Sequence, residues 1–546
     1  QTGQYSIEEK ITTPDMGYEG VLFCIYFEGS SSNFYNWYFD NFEVKIQEDL
    51  DIQLSSINID ERIGSGPLNV NFTVQNMGST AIQSFEATYQ IDDQEAVTET
   101  FSVYMTSFEE NTLSFNKVET LLPGSYNINM SINKVNGWEE DSHPENNILS
   151  SDFSVAIATT QRIPMIEHFS SASCAPCVSV NNMMHKLTES NPGKYTYVKY
   201  PAKYPTDIYN TAECDVRSNY YLVSGVPNVA FNGVNLGATS VSQYQLDNSY
   251  NEAAFVNIKG AFNIEGKTIN VTTDVMSYVN LKNVKTFVSV NEKTTTGNKG
   301  DNGETEFHHI MMKMLDNANG NDTKVESGKY QRFEFTYDMS NTNVEDMNDL
   351  EVAVWVQNLV SGEVFNSSFL YEYTEHPYPA RNLEVAEVDN NLQITWEAPE
   401  GSNPTGYNIY VNNKLVANNT TELSHSVAKE DDLYIVEVVA LYGDKKSVGI
   451  INTSFAMEDD ETNVISNYEN DFEIYPNPVN DKINIETEVE VEEVVVYTIT
   501  GVVAGHQSMV NGQQSTVIDV TNLNSGIYFV KVVTSEGEIV NRIVKK

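Results

Sequence analysis

Along most of the chain apolar and polar positions alternate with a period of two. Runs rich in Tyr, Thr, Val, Ile, Phe and Asn are interrupted by turn clusters. That alternation predicts strands with one buried face, repeated often enough for β-sandwich modules in series. "LNVNFTVQNMGST" alternates from Leu68 and turns at Asn76-Met77-Gly78. "LLPGSYNINMSI" sets a Pro123-Gly124 turn ahead of another alternating strand. Trp396 falls on the second strand of "PARNLEVAEVDNNLQITWEAP".

One stretch, 158–254, breaks the pattern. "RIPMIEHF" reads as a strand. "CAPCVSVNNMMHKLTES" reads as a helix, with Val178, Met183, Met184 and Leu187 at roughly helical spacing. "YTYVKYP" is a second strand. "TDIYNTAECDVRSNYYLV" is a second helix capped by Thr206 or Asp207, and "GVPNVAFNG" is a turn and a strand. The order β-α-β-α-β makes this the single α/β segment of a multidomain, mostly β chain.

The expected boundaries follow: 1–49 a partial module, 50–157 a sandwich, 158–254 the α/β domain, 255–373 a further sandwich. After these come 374–456 another sandwich, 457–470 ("MEDDETNVISNYEN") an acidic linker, and 471–546 a last small sandwich. A length of 546 residues accommodates this number of domains. The 77 acidic against 31 basic residues give a net charge of −46. That excludes the basic footprint of a nucleic-acid binder and disfavours an anionic membrane surface. No apolar run approaches the ~20 residues of a membrane-spanning helix. The start, "QTGQYSIEEK", has no initiator Met and no leader pattern, so a processed or partial chain is expected.

Of four cysteines only Cys174 and Cys177 are locally spaced. Such a pair is a redox centre, half a zinc site or a staple. Zinc needs about four ligands, and no second Cys-x-x-Cys or His-x-x-x-His supplies them. Cys174 is expected at the start of a helix, where unpaired N–H groups and about half a positive charge favour a thiolate. Cys24 and Cys214 read as buried thiols. "DNANGND" at 316–322 is a weak calcium-loop pattern, since Ala318 occupies a ligand position. His308 and His309 are expected on opposite faces of a strand, which disfavours chelation. No cofactor is implied.

Several segments resemble known families. Residues 1–49, through Trp37-Tyr38-Phe39-Asp40, resemble the last strands of adhesin jelly-roll modules, which implies a remnant. Residues 50–157, with Val74-Gln75-Asn76-Met77-Gly78 and Pro144-Glu145-Asn146-Asn147, resemble the Ig-like modules of bacterial cell-adhesion-related proteins. Residues 374–456 resemble a fibronectin type III module. Residues 471–546, with "YPNP", "VVVYTITG", "NLNSGIYFVKV" and "NRIVKK", resemble the C-terminal sorting domain of type IX secretion cargo. That implies type IX machinery as a partner and a secreted or outer-membrane-associated surface location.

The stretch 163–233 resembles thioredoxin-fold domains, and more closely the outer-membrane family named for a 28-kilodalton member. The residues that carry this are Glu167-His168-Phe169-Ser170-Ser171, Cys174, Cys177, Arg217, Tyr220, Tyr221, Gly225 and Pro227. The resemblance implies a cis peptide at Val226-Pro227 facing the cysteines. Val226 would then offer its backbone to an extended partner. His168 stands where thioredoxins bury a carboxylate that exchanges a proton with the second cysteine. Ser173 replaces the shielding Trp of thioredoxins. Two functions remain open. One is thiol–disulfide exchange with protein thiols or disulfides, Cys174 attacking and Cys177 resolving. The other is a non-enzymatic adhesin or surface scaffold in which all modules bind ligands.

Overall fold

The computed structural model describes residues 47–138, 141–324, 326–431, 433–455, 472–475, 479–498, 503–523, 526–534 and 537–545. The expected N-terminal remnant up to residue 46, with Cys24, lies outside the described residues. So do the acidic linker at 457–470 and the turn residues Pro476, Asn477 and Pro478.

The chain is multidomain and mostly β: the described residues form 35 strands and three α-helices. The first sandwich packs a three-stranded sheet on a five-stranded one. Its strand Pro67–Asn76 buries Val70, Phe72 and Val74 at every second position, facing Phe85, Ala87 and Tyr89 of Ile82–Ile91. This is the period-two pattern expressed directly, with inward side chains spaced two apart on each strand. A second sandwich, built from Arg381–Val388 to Lys445–Thr453, closes over Trp396, Tyr407 and Val438. The last segment is a five-stranded sheet from Phe472–Tyr475 to Gly537–Lys545.

The centre departs from the expected boundaries. Strands on both sides of residue 254 join one nine-stranded sheet. Its order is Val234–Gly237, Asn228–Phe231, Met165–Ser170, Thr196–Pro201, Phe307–Met314, Val284–Thr295, Leu350–Asn358 and Val364–Phe369, with Asn321–Asp322 on the flank of Val284–Thr295. Met165–Ser170 and Thr196–Pro201 run parallel, and Lys199 pairs with Ile310 to stitch the two halves together. All six residues of each of these two strands are buried. Helices pack on both faces, Val180, Met184 and Leu246 on one and Cys214 on the other, as befits inner parallel strands.

Helix α1 is Cys177–Ser190, α2 is Ala212–Tyr220 and α3 is Gln243–Asn251. Helix α1 packs Val180, Met184 and Leu187 against Ile166, Tyr197 and Val229. Helix α2 starts later than expected. Thr211 is its cap, its side chain accepting from the Cys214 N–H, while Asp207 serves elsewhere. Helix α3 was not expected, although its capping box is written in the sequence: Ser242 and Gln245 bond each other's backbone reciprocally.

The modules are not beads on a string. Ala156 and Ile157 at the end of the first sandwich, with the following Ala158, share a core with Met276, Tyr278 and Val279 of the centre and Ile435 and Val448 of the next sandwich. Arg62 bonds both carboxylate oxygens of Glu363, at 2.5 and 2.7 Å, and lies over the Phe365 ring.

Candidate functional site

Cys174 and Cys177 form a disulfide, with Cα atoms 5.3 Å apart. The helix begins at Cys177 rather than at Cys174. Pro176 sits at its cap position, and Cys174 lies in the preceding turn, its N–H bonded to the Ser171 carbonyl at 3.1 Å. The reason is local: Ser171 to Pro176 are held by turn bonds before the α-helical ladder starts. The helix end still reaches the sulfur, because the Cys177 N–H points at Cys174 Sγ from 3.2 Å. On the other side the Val226 carbonyl oxygen is 3.6 Å from Cys174 Sγ. Val226–Pro227 is a cis peptide, and so is Tyr204–Pro205, which the sequence reading did not foresee.

His168 is fully buried. It shares a strand face with Ile166, which packs on α1, and Ser170, whose hydroxyl donates to Asn181 Oδ1 of α1 at 3.0 Å. Its Nδ1 is 2.6 Å from Tyr197 Oη, and its Nε2 has no partner among the described residues. Burial, helped by Lys199, holds the imidazole well below its usual range, so it is neutral. Lys199 is its register partner on the neighbouring strand. Burial pushes the Lys199 ammonium down to about 8, against the pull of Glu304 and Asp207.

The opposite face of the same strand carries Glu167. Arg217 grips it with two bonds of 2.9 Å, Tyr200 donates to Oε1 at 2.9 Å and Tyr221 to Oε2 at 2.5 Å. Arg217 also donates to Gln357 Oε1 at 2.9 Å and lies over the rings of Phe287 and Trp355. Arg217 and Tyr221 therefore join α2 to the sandwich half of the sheet, on the face away from α1. Cys214 belongs to this second core, and burial lifts its thiol to about 12. It is an inert buried thiol.

Two groups that sequence reasoning passed over also meet at the cysteine turn. Asp207, expected as a helix cap, accepts from the Ala172 N–H at 2.9 Å and the Tyr209 N–H at 3.0 Å. The loop 296–306 lies against Ser171–Cys174. Asn302 N–H bonds the Ala172 carbonyl at 3.1 Å, and Asn181 donates to Glu304 at 2.8 Å. The length and Gly/Asn content of "GNKGDNGE" were the available signal. His308 and His309 do not straddle the strand as expected. His309 adopts a left-handed φ of 58°, which breaks the alternation. His308 stacks on His185 of α1 with centroids 4.0 Å apart, and His309 packs on Tyr197 and approaches Glu351 at 2.6 Å. Asn321 of the weak calcium-loop pattern donates to the Thr286 carbonyl instead. Among the described residues no group of three or more His, Cys, Asp or Glu side chains is placed to hold a metal ion.

Residues 473–546 match the family model described as a secretion system C-terminal sorting domain. The chain is thus type IX cargo, exported to the cell surface, and no helix among the described residues is long and apolar enough to cross a membrane. A comparison with curated proteins returns no match. Among solved structures the chain is similar to HBP35 of Porphyromonas gingivalis, at 12% identity and a TM-score of 0.34, over 54% of this chain and 98% of that one. It is also similar to protein AGR_C_4864 from Agrobacterium tumefaciens, at 16% identity and 0.29, over 40% and 97%. A third likeness is to the FN1-FN3 domains of chicken CNTN1, at 9% identity and 0.15, over 75% and 99%. None of these scores reaches that of a shared global fold.

Proposed function

We propose that residues 158–254 are a thioredoxin-like domain and that its Cys174–Cys177 pair exchanges disulfides with protein thiols at the cell surface. The observation that carries this reading is the setting of Cys174 Sγ, between the Cys177 N–H at 3.2 Å and the Val226 carbonyl at 3.6 Å. A backbone donor aimed at a sulfur favours its thiolate, and a thiolate leaves and attacks more readily than a thiol. The strand, helix, parallel strand, helix and antiparallel strand order of 165–231 supports the domain reading. Around it we take 50–157 as Ig-like, 255–373 as the sandwich completing its sheet, 374–456 as fibronectin type III-like, and 471–546 as the sorting domain.

The pair rests oxidised, so the chain acts first as the acceptor. A partner thiolate attacks Cys174 Sγ, the bond between the cysteines breaks, and Cys177 leaves as a thiolate and takes a proton. A second thiolate of the same partner then displaces Cys174 from the mixed disulfide. The partner dithiol loses two electrons and two protons, and the cysteine pair gains them. In the reverse direction Cys174 attacks a partner disulfide and Cys177 resolves it. Val226, ahead of Pro227, aligns the partner backbone. The proton that Cys177 takes comes from solvent, and we assign its relay to the neutral His168 through Nε2, which has no partner among the described residues. Its role depends on Tyr197, which either accepts from Nδ1–H, leaving Nε2 a base, or donates to Nδ1 and leaves Nε2 an acid.

The test is reduction of insulin by dithiothreitol. The wild-type chain should accelerate it and Cys174→Ser should not; equal inertness overturns the reading. The near-complete burial of both sulfurs, at 3% and 0% residue exposure, favours a second reading, a surface scaffold with a structural disulfide. That reading expects glycan or matrix binding by 50–157 or 374–456 that survives Cys174→Ser.

A further inference from the structure

We propose that residues 297–304 are a lid over the cysteine turn, and that opening it decides which thiols reach the pair. The identity of the entering thiol rests on the exchange reading; the lid itself does not. The loop leaves the strand Val284–Thr295 and is fixed at its base by Glu345, which accepts from the N–H groups of Thr296 at 2.9 Å and Gly297 at 2.7 Å and from Tyr209 Oη at 2.9 Å. Its middle lies on the turn. A Cβ at Gly300 would come within 2.3 Å of the Ala172 carbonyl oxygen and 2.7 Å of Ser173 Oγ. Only a residue without a side chain lets the two backbones approach this closely.

Its far end is latched by polar groups. Asn302 donates from its backbone to the Ala172 carbonyl, and its Nδ2 lies 3.3 Å from the Ser171 carbonyl and 3.5 Å from that of Cys174. The Glu304 carboxylate accepts from Asn302 and from Asn181 of α1. The latch therefore clasps both the turn that carries Cys174 and the helix that carries Cys177. Ala175 and Pro176 of the same turn are exposed, while both cysteines are buried. The loop thus grips the turn whose Cys174 Sγ lies 3.6 Å from the Val226 carbonyl oxygen. Its three glycines, at 297, 300 and 303, leave the backbone free to swing about a pinned base.

The experiment measures the rate at which excess dithiothreitol reduces Cys174–Cys177 in the full chain, read by alkylation and mass. Gly300→Ala and Asn302→Ala should each reduce about tenfold faster than wild type, and Lys299→Ala, on the exposed side of the loop, at the wild-type rate. Tryptic cleavage after Lys299 should quicken in the same two variants. If Gly300→Ala does not fold, Asn302→Ala and the cleavage rate decide. Wild-type rates of reduction and cleavage in the folded variants overturn the lid. Faster reduction with insulin still untouched keeps the lid and ends the exchange reading. Faster reduction with insulin turnover raised in parallel supports both.

Discussion

Arg217 reaches from α2 to hold both carboxylate oxygens of Glu167, at 2.9 Å each, with neither side chain more than 1% exposed. Tyr200, Tyr221 and Gln357 complete the network, so both carboxylate oxygens and the Nε and Nη2 groups of the pair are engaged. Glu167 and His168 are adjacent in sequence yet face opposite sides of one strand. One side welds the helical half to the sandwich half; the other lies under α1 with the disulfide.

Breaking the weld from one side should be costly. Arg217→Met leaves a buried carboxylate without its counter-charge, and a loss of about 3–5 kcal/mol is expected. Arg217→Met combined with Glu167→Leu should recover much of that, because the stranded charge is gone. Urea unfolding followed by the fluorescence of Trp355, which stacks on Phe287 beside Arg217, checks both.

The neutral His168 sets a pH dependence. Its folded pKa is depressed below the unfolded value, so the unfolded chain binds the proton first as pH falls. Stability should therefore drop below about pH 6.5, by up to roughly 1.4 kcal/mol per pH unit for this one group. His308 acts in the same direction, since burial holds it down at about 4. His168→Leu should flatten the profile of unfolding free energy between pH 6.5 and 5. An unchanged slope would count against the burial argument.

In the reduced protein the Cys177 N–H facing Cys174 Sγ should hold the Cys174 thiol below the ~8.5 of a free cysteine. Iodoacetamide alkylation of the reduced chain against pH should give Cys174 a lower midpoint than Cys174 in the urea-unfolded chain. Cys214 should stay unlabelled until the chain unfolds, because burial holds its thiol near 12.

Glu437 sits where two sandwiches meet. Burial lifts its carboxyl to about 7, Tyr278 lies 3.5 Å from Oε1, and Gly449 makes room for it. A carboxyl whose folded pKa is raised weakens the folded contact as pH climbs from about 4.5, its unfolded value, to 7. The protection of the amides of Ile435–Tyr442, taken relative to their intrinsic base-catalysed exchange, should fall over that range in the wild type and stay level in Glu437→Gln.

Period-two alternation was enough to find the sandwiches, because each of their strands buries one face, and Phe72 or Trp396 then reads directly as core. The sorting domain was legible as an ordered set of motifs. So was the Cys174–Cys177 pair with Val226-Pro227, since the positions are marked by residue types with few other uses. The sequence could not show that the α/β segment and the following sandwich share one sheet. A pairing such as Lys199 with Ile310 spans over a hundred residues and leaves no local trace. The place of Glu304, Asn302 and Asp207 at the cysteine turn was invisible for the same reason: short polar side chains in loops look alike until distant backbone comes within hydrogen-bond reach. The sequence alone determined where the cysteine pair and its facing prolyl peptide stand in the chain and which strands have an inside. Only the tertiary structure decided what covers the sulfur, because cover is made by chain segments far apart in order and close only once the cores have packed.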